Sequence, residues 1–363
     1  MHRALALTAL LATLTACKGG GMQSMFNHMR PSSASAASDL SGPVYYHRKL
    51  EPEGRIILHG AGQTDDKTFR DYTMLLAQYR PMLYMSYIDL KDDIPSYFDH
   101  LHHDINLYSD YLVPQIGLSL NAGNAAGHYD ADVASGALDT QLGALCTGLK
   151  SLDRPVYLRV GYEFNAPWNG YVPATYIAAF RRISTTLKSC GANGVALVWD
   201  YAPENSGVDP MRFYPGDDVV DWWAINLFAA KDIDSSKTSG FLDAAAQHRF
   251  PVMIGESTPQ FHPVSEGQKG IDAWYQPYFA LLHRYPQIKA FSYINWDWRQ
   301  YPQWATWGDS RIQDDPTVQA FYLKELTDPL YQPAADRAKT LKLLHADDLF
   351  PVPAAKPAAK KHK

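Results

Sequence analysis

Eight short apolar, β-rich runs recur along the chain, and helix-patterned stretches separate them. The runs are Arg55–Gly60, Met82–Asp89, Val113–Asn121, Val156–Glu163, Val195–Asp200, Val219–Phe228, Val252–Glu256 and Ala290–Trp298. Several are apolar at nearly every position, as strands covered on both faces are. Between them, Thr68–Tyr79 places Phe69, Tyr72, Leu75, Leu76 and Tyr79 on one helical face. Leu138–Leu149, Tyr176–Leu187 and Ala273–Leu282 repeat that pattern, and Pro173 stands where a helix can start. Eight strands alternating with helices predict a single (β/α)8 barrel over residues 44–350. A doubly wound sheet is the runner-up. It lacks support, because His59-Gly60-Ala61-Gly62 supplies only two glycines and no phosphate-binding Gly-rich loop follows the first run.

Composition narrows the function classes. The chain has 363 residues, 33 Lys plus Arg against 38 Asp plus Glu, and a formal net charge of −5. That balance argues against a nucleic-acid partner, which needs a basic face. Aromatics are abundant, and all nine Trp lie between Trp168 and Trp307, so the later strands and their loops carry an aromatic surplus. No cofactor motif is present. His100, His102 and His103 lie in a helical stretch, where only His100 and His103 share a face, and no Cys/His pattern accompanies them. They read as surface or packed histidines, not metal ligands.

The termini differ from the centre. Residues 1–17, MHRALALTALLATLTAC, combine Arg3 with a short apolar run, which predicts an export signal. Leu14-Thr15-Ala16-Cys17 resembles the bacterial lipobox. That resemblance implies cleavage before Cys17, lipidation of its thiol and a membrane partner through the lipid, on the outer membrane or the periplasmic face. An ordinary secretory signal is the alternative. Residues 18–43 read as a flexible tether. Residues 351–363, PVPAAKPAAKKHK, read as a solvated Lys/Pro/Ala tail or a contact with anionic envelope polymers. An exported compartment permits a disulfide between Cys146 and Cys190, with two buried free thiols as the other reading. A monomer is expected.

In a barrel of this kind, active sites are built at the C-terminal strand ends. Run four ends at Glu163 and run seven at Glu256. Carboxylates there are costly to bury without a purpose. Strands four and seven lie nearly opposite one another around the mouth. Two inward glutamates can then face a substrate about 5 Å apart, the arrangement of retaining glycoside hydrolysis. Each Glu alone also fits a local ion pair or cap.

The fourth-run segment LRVGYEFNAPW resembles that of glycoside hydrolase family 26, the family of β-mannanases and β-1,3-xylanases, with its pattern L-R-P-x-H-E-M-N-G-x-W. The resemblance implies that Glu163 is the general acid/base and Glu256 the nucleophile. It implies further that Arg159, Asn165 and Trp168 shape the substrate cleft, and that Trp296 is a sugar platform. Departures from the family bear on specificity. Tyr162 replaces a His, Ala166 replaces a Gly, and run six ends Asn226-Leu227-Phe228 where the wider clan offers a Tyr to the nucleophile. Mannanase specificity is therefore not inherited.

Tyr162, Asn226, Trp199, Asp200 and His59 complete the substrate-facing candidates, each near the end of a run. Trp304 and Trp307 read equally as core or as sugar surface. The expectation is a retaining endo-β-glycosidase acting on a β-linked mannan, xylan, glucan or exopolysaccharide. The rivals are a catalytically silent glycan-binding barrel and a structural envelope lipoprotein.

Overall fold

A computed structural model of the chain describes residues 44–351, apart from 64 and 204–206. The signal, the tether, Cys17 and residues 352–363 lie outside the described residues. The eight runs are eight parallel strands: β1 (Ile57–Ala61), β2 (Leu83–Asp89), β3 (Val113–Ser119), β4 (Val156–Val160), β5 (Val195–Tyr201), β6 (Trp222–Ala229), β7 (Val252–Gln260) and β8 (Ile288–Tyr293). They pair in chain order, and β1 meets both β2 and β8. Closure excludes the doubly wound sheet.

The helices are α1 (Asp66–Leu76), α2 (Ile94–Asn106), α3 (Asp130–Ser135), α4 (Asp139–Ser151), α5 (Pro173–Ser189), α6 (Ala230–Ile233), α7 (Ser236–His248), α8 (Gln268–Gly270), α9 (Gln276–Arg284), α10 (Pro316–Glu325) and α11 (Arg337–Leu343). Local chemistry starts them. Asp65 and Thr68 close a reciprocal capping box on α1, and Asp315 caps α10 with Pro316 in its first turn. A two-residue strand, β9 (Tyr331–Gln332), pairs with the first two residues of β1. Cys146 of α4 and Cys190, just after α5, form a disulfide with a Cα separation of 6.7 Å.

Three C-terminal strand ends differ from the runs by three or more residues. β4 stops at Val160, because Gly161 takes a left-handed backbone (φ 52°) and turns the chain. β7 continues past Glu256 to Gln260. β8 leaves the sheet at Tyr293, so Trp296 and Trp298 belong to the loop that follows.

Strand alternation divides the side chains into an inner and an outer set. Leu58, Val113, Tyr157, Val198, Trp222 and Met253 fill the lower interior, closed from below by Leu50 and by Leu341 of α11. The outward residues, including Trp199, Trp223, Ile254 and Phe291, pack under the helices. Above the apolar floor lies an uncharged polar belt. Gln115 donates to the Gly255 carbonyl (2.8 Å) and accepts from Ser292 (2.7 Å). The charged residues described next stand on this belt.

Candidate active site

Arg159 is the hub. Its side chain is fully buried, and Nη1 donates to Asp200 Oδ2 at 2.7 Å and to Glu256 Oε1 at 2.8 Å. Burial by itself lowers an arginine pKa, but Glu256 and Asp200 outweigh it and hold the guanidinium charged. Asp200 is pushed the other way. Burial raises its carboxyl from the ordinary 3.8 to about 7, against the opposing pull of Arg159 and with a further push from Glu256.

Two glycines make room for this cluster. A Cβ on Gly255 would stand 2.7 Å from Asn226 Oδ1 and 3.1 Å from Asp200 Oδ2. A Cβ on Gly117 would stand 2.6 Å from the Tyr87 ring. In both places the absent side chain is what lets polar groups converge from neighbouring strands.

Glu163 is delivered by the turn after β4. It has φ 53°, in the left-handed region that costs a non-glycine residue about 1–3 kcal/mol. Asn169 holds the turn by donating to the Tyr162 and Glu163 carbonyls at 2.8 and 3.0 Å. The Glu163 carboxyl then accepts from Trp168 Nε1 at 2.8 Å and from Asn226 Nδ2 at 3.1 Å. Both candidate glutamates are nearly buried, 6% exposed for Glu163 and 5% for Glu256.

Tyr87 of β2, absent from the sequence-derived candidates, completes the constellation. Its hydroxyl lies 3.7 Å from Met85 Sδ, and burial together with the nearby Glu256 carboxylate holds it protonated, well above the ordinary tyrosine range. The Tyr87 and Tyr162 rings meet edge to face at 5.3 Å. The Arg159 guanidinium lies 5.4 Å from the Tyr87 centroid and 5.2 Å from that of Tyr162. Strand six offers Asn226 to Glu163, and strand two lays the Tyr87 ring against Arg159, the partner of Glu256. The period-two pattern of Tyr84-Met85-Ser86-Tyr87 contained that signal: Met85 and Tyr87 share a face.

The structure therefore brings together Arg159, Tyr162, Glu163, Trp168, Asp200, Asn226 and Glu256. Trp296 stands at the rim, stacked on Tyr301 at 5.0 Å. Three candidates fall elsewhere. His59 points outward from β1, 1% exposed, bonded to the Tyr72 hydroxyl and the Tyr79 carbonyl at 3.0 Å each. Trp199 also points outward, stacked on Phe164 at 4.4 Å. Asn165 is a strut: its amide donates to Ala202 O (2.7 Å) and accepts from Ala202 N (3.0 Å), tying the β4 turn to β5. The first two were displaced by parity, since each sits one residue from an inward-facing position. His100, His102 and His103 are exposed on α2.

No protein-family model matches the sequence. A β-1,3-xylanase of a Vibrio species is 30% identical over 247 residues, covering 60% of this chain and 51% of that protein. A β-1,3-xylanase of an Alcaligenes species is 30% identical over 247 residues, covering 60% of this chain and 50% of its own. The chain thus spans about half the length of the curated relatives it matches. Among solved structures, GH26C of a Muricauda species superposes with a TM-score of 0.58 at 13% identity, covering 78% of this chain and 87% of that one. A GH26 β-mannanase from Bacteroides ovatus gives 0.53 at 15% identity, covering 78% and 92%.

The protein is a divergent, family-26-like barrel. The likeness first carried by the segment LRVGYEFNAPW now extends to the closed eight-stranded fold.

Proposed function

We propose that this family-26-like barrel is a retaining endo-β-glycosidase in which Glu256 is the nucleophile and Glu163 the acid/base. The observation that carries the reading is the unequal treatment of two buried carboxyls. Glu256 is paired with the Arg159 cation at 2.8 Å, with the buried, protonated Tyr87 nearby. Glu163 is met by the neutral donors Trp168 and Asn226. A cation suits the carboxylate that must attack as an anion. Neutral donors suit a group that alternates between acid and base.

In the first step Glu256 attacks the anomeric carbon while Glu163 protonates the departing glycosidic oxygen. In the second, Glu163 takes a proton from water, whose oxygen displaces Glu256 and restores both groups. Trp168 and Trp296 border the sugar positions. The substrate class is a β-linked polysaccharide, with β-1,3-xylan first to try because the relatives at 30% identity are β-1,3-xylanases.

The test is reducing-end release from β-1,3-xylan, β-mannan and β-glucan. Glu163→Ala is expected to lower turnover by about 10²–10⁴-fold, and Glu256→Ala to remove it. Azide separates the roles: added to Glu256→Ala it should give the α-glycosyl azide, and to Glu163→Ala the β-anomer. Inverted first products from the wild type would overturn the assignment. Binding without turnover across the panel would select the silent barrel.

Attachment to the envelope is part of the same proposal and rests on Leu14-Thr15-Ala16-Cys17. Cys17→Ser should release the protein from membranes, and retention of that variant on membranes would refute lipidation at Cys17.

A further inference from the structure

The aromatic surplus continues past the carboxylates. Met85, Phe228, Ile294 and Trp298 form a small buried cluster, with Tyr87, Trp296, Tyr301, Trp304 and Trp307 partly buried against it. This band starts at the site, since Met85 contacts Arg159 Nη2 and the Tyr87 ring centroid lies 5.4 Å from the Arg159 guanidinium. It ends on the loop after β8.

That loop is held rigidly at its base. Asp297 and Asp309 pair as an antiparallel bridge, and Trp298 N and Ser310 N donate across the neck at 3.0 and 2.8 Å. Arg299 grips Asp297 and Asp309 together, at 2.7 and 2.9 Å. Arg311 adds bonds to Asp309 at 3.0 and 2.7 Å. Inside the loop Trp298 packs on Trp307 at 4.8 Å and on Trp304 at 5.8 Å.

The neighbouring loop after β7 is fitted to it. A Cβ on Gly308 would stand 2.7 Å from Pro263 Cβ, and Val264 N donates to Asp309 O at 2.8 Å. Two residues before Pro263, Phe261 is held at φ 66° and is 54% exposed. A left-handed backbone on an aromatic residue is strained. Folding gains little from a side chain left that open. Packing explains Trp298; it does not explain Phe261 or the open parts of Trp304 and Trp307.

We infer that Phe261, Tyr301, Trp304 and Trp307 form a glycan-binding subsite on the loops after β7 and β8, outside the catalytic centre. The occupant is the part of a β-linked polysaccharide chain that lies beyond the scissile bond. Flat rings with polar edges match the apolar CH faces and polar rims of pyranose rings. Continuity with Tyr87 and Met85 places the surface along a chain that reaches Glu256. The inference rests on the glycosidase reading for its substrate class, but its binding test does not require turnover.

The test uses the full chain carrying Glu256→Gln, run in native gels containing β-1,3-xylan, β-1,4-mannan or β-1,3-glucan. Adding Phe261→Ala or Trp304→Ala should weaken retardation in the interacting gel about tenfold, the loss of one good stacking contact. Phe261 is exposed, so its variant should keep the parent melting temperature. In the active protein the same substitutions should raise KM for polymer about tenfold and leave kcat/KM for a short aryl glycoside within about twofold. Retardation dependent on Phe261 and Trp304 without turnover by the active protein would keep the subsite and reject the glycosidase. Equal loss on polymer and short substrate, unchanged retardation of both variants, or no retardation by any of the three polysaccharides would overturn the subsite.

Discussion

At the bottom of the barrel Lys289 is buried against Glu51; at the top Arg159 is buried between Asp200 and Glu256. The bottom cluster is saturated. Lys289 donates to the carbonyls of Val44, Pro52 and Gly54, and lies 3.5 Å from Glu51. Glu51 in turn accepts from the backbone N–H groups of Tyr46 (2.9 Å) and Arg48 (3.1 Å). The top cluster is left open. Asp200 Oδ1, Asn226 Oδ1 and Arg159 Nε are buried without a hydrogen-bond partner among the described residues. A buried polar atom without a partner costs free energy. One end spends its charges on pinning the segment before β1 across the barrel floor. The other keeps polar capacity beside two carboxyls, where an incoming polar ligand can meet it.

The largest expected contrast comes from removing each cation. Lys289→Met leaves Glu51 buried without its charge partner and should cost about 3–5 kcal/mol in urea unfolding. The molecules that remain folded should turn over substrate normally. Arg159→Met should show the opposite profile, with turnover down at least about 10²-fold and a smaller stability loss, because Asp200 can take up a proton near neutral pH. Wild-type stability for Lys289→Met, or wild-type turnover for Arg159→Met, would break the distinction between the two ends.

A smaller effect sharpens the top cluster. Tyr87→Phe removes a buried hydroxyl near Glu256 and keeps the ring that packs against Tyr162. Losing a polar group beside the attacking charge should lower kcat about tenfold, about 1.4 kcal/mol on the barrier, with KM little changed. An unchanged kcat would remove Tyr87 from the site.

Much of this was legible because it follows a period. The eight runs marked the strands, and strand-end position found both glutamates, Arg159 and Asp200. Parity then decided what position could not. His59 and Trp199 share strand ends with the site but face the helices, and a strict inward–outward count from Leu58 and Val198 separates them. Tyr87 was hidden for a different reason. Nothing local in run two shows that its ring meets Tyr162 and Arg159 two strands away; that approach exists only once Gly117 clears the space. Asn165 came in through its place in the family-like segment, and only the paired bonds to Ala202 show both ends of its amide occupied. The Lys289–Glu51 pair was invisible because its partner comes from a segment without periodic pattern.

The finest test of the two-ended picture is a titration. Burial raises the Asp200 carboxyl in the folded protein from 3.8 to about 7. The folded state therefore binds this proton more tightly than the unfolded chain does. The stability this contributes is fully present below about pH 4 and is lost as pH rises through about 7. Between pH 5 and pH 8 the wild type should lose about 2–3 kcal/mol from this group, by the equivalence of one pKa unit to about 1.4 kcal/mol. Asp200→Asn keeps the shape and removes the ionisation. Its unfolding free energy should fall less over the same interval, so that the variant gains on the wild type as pH rises. Parallel pH profiles for Asp200→Asn and the wild type would show that Asp200 gains no proton on folding, and the two ends would then differ only in what lies beside them.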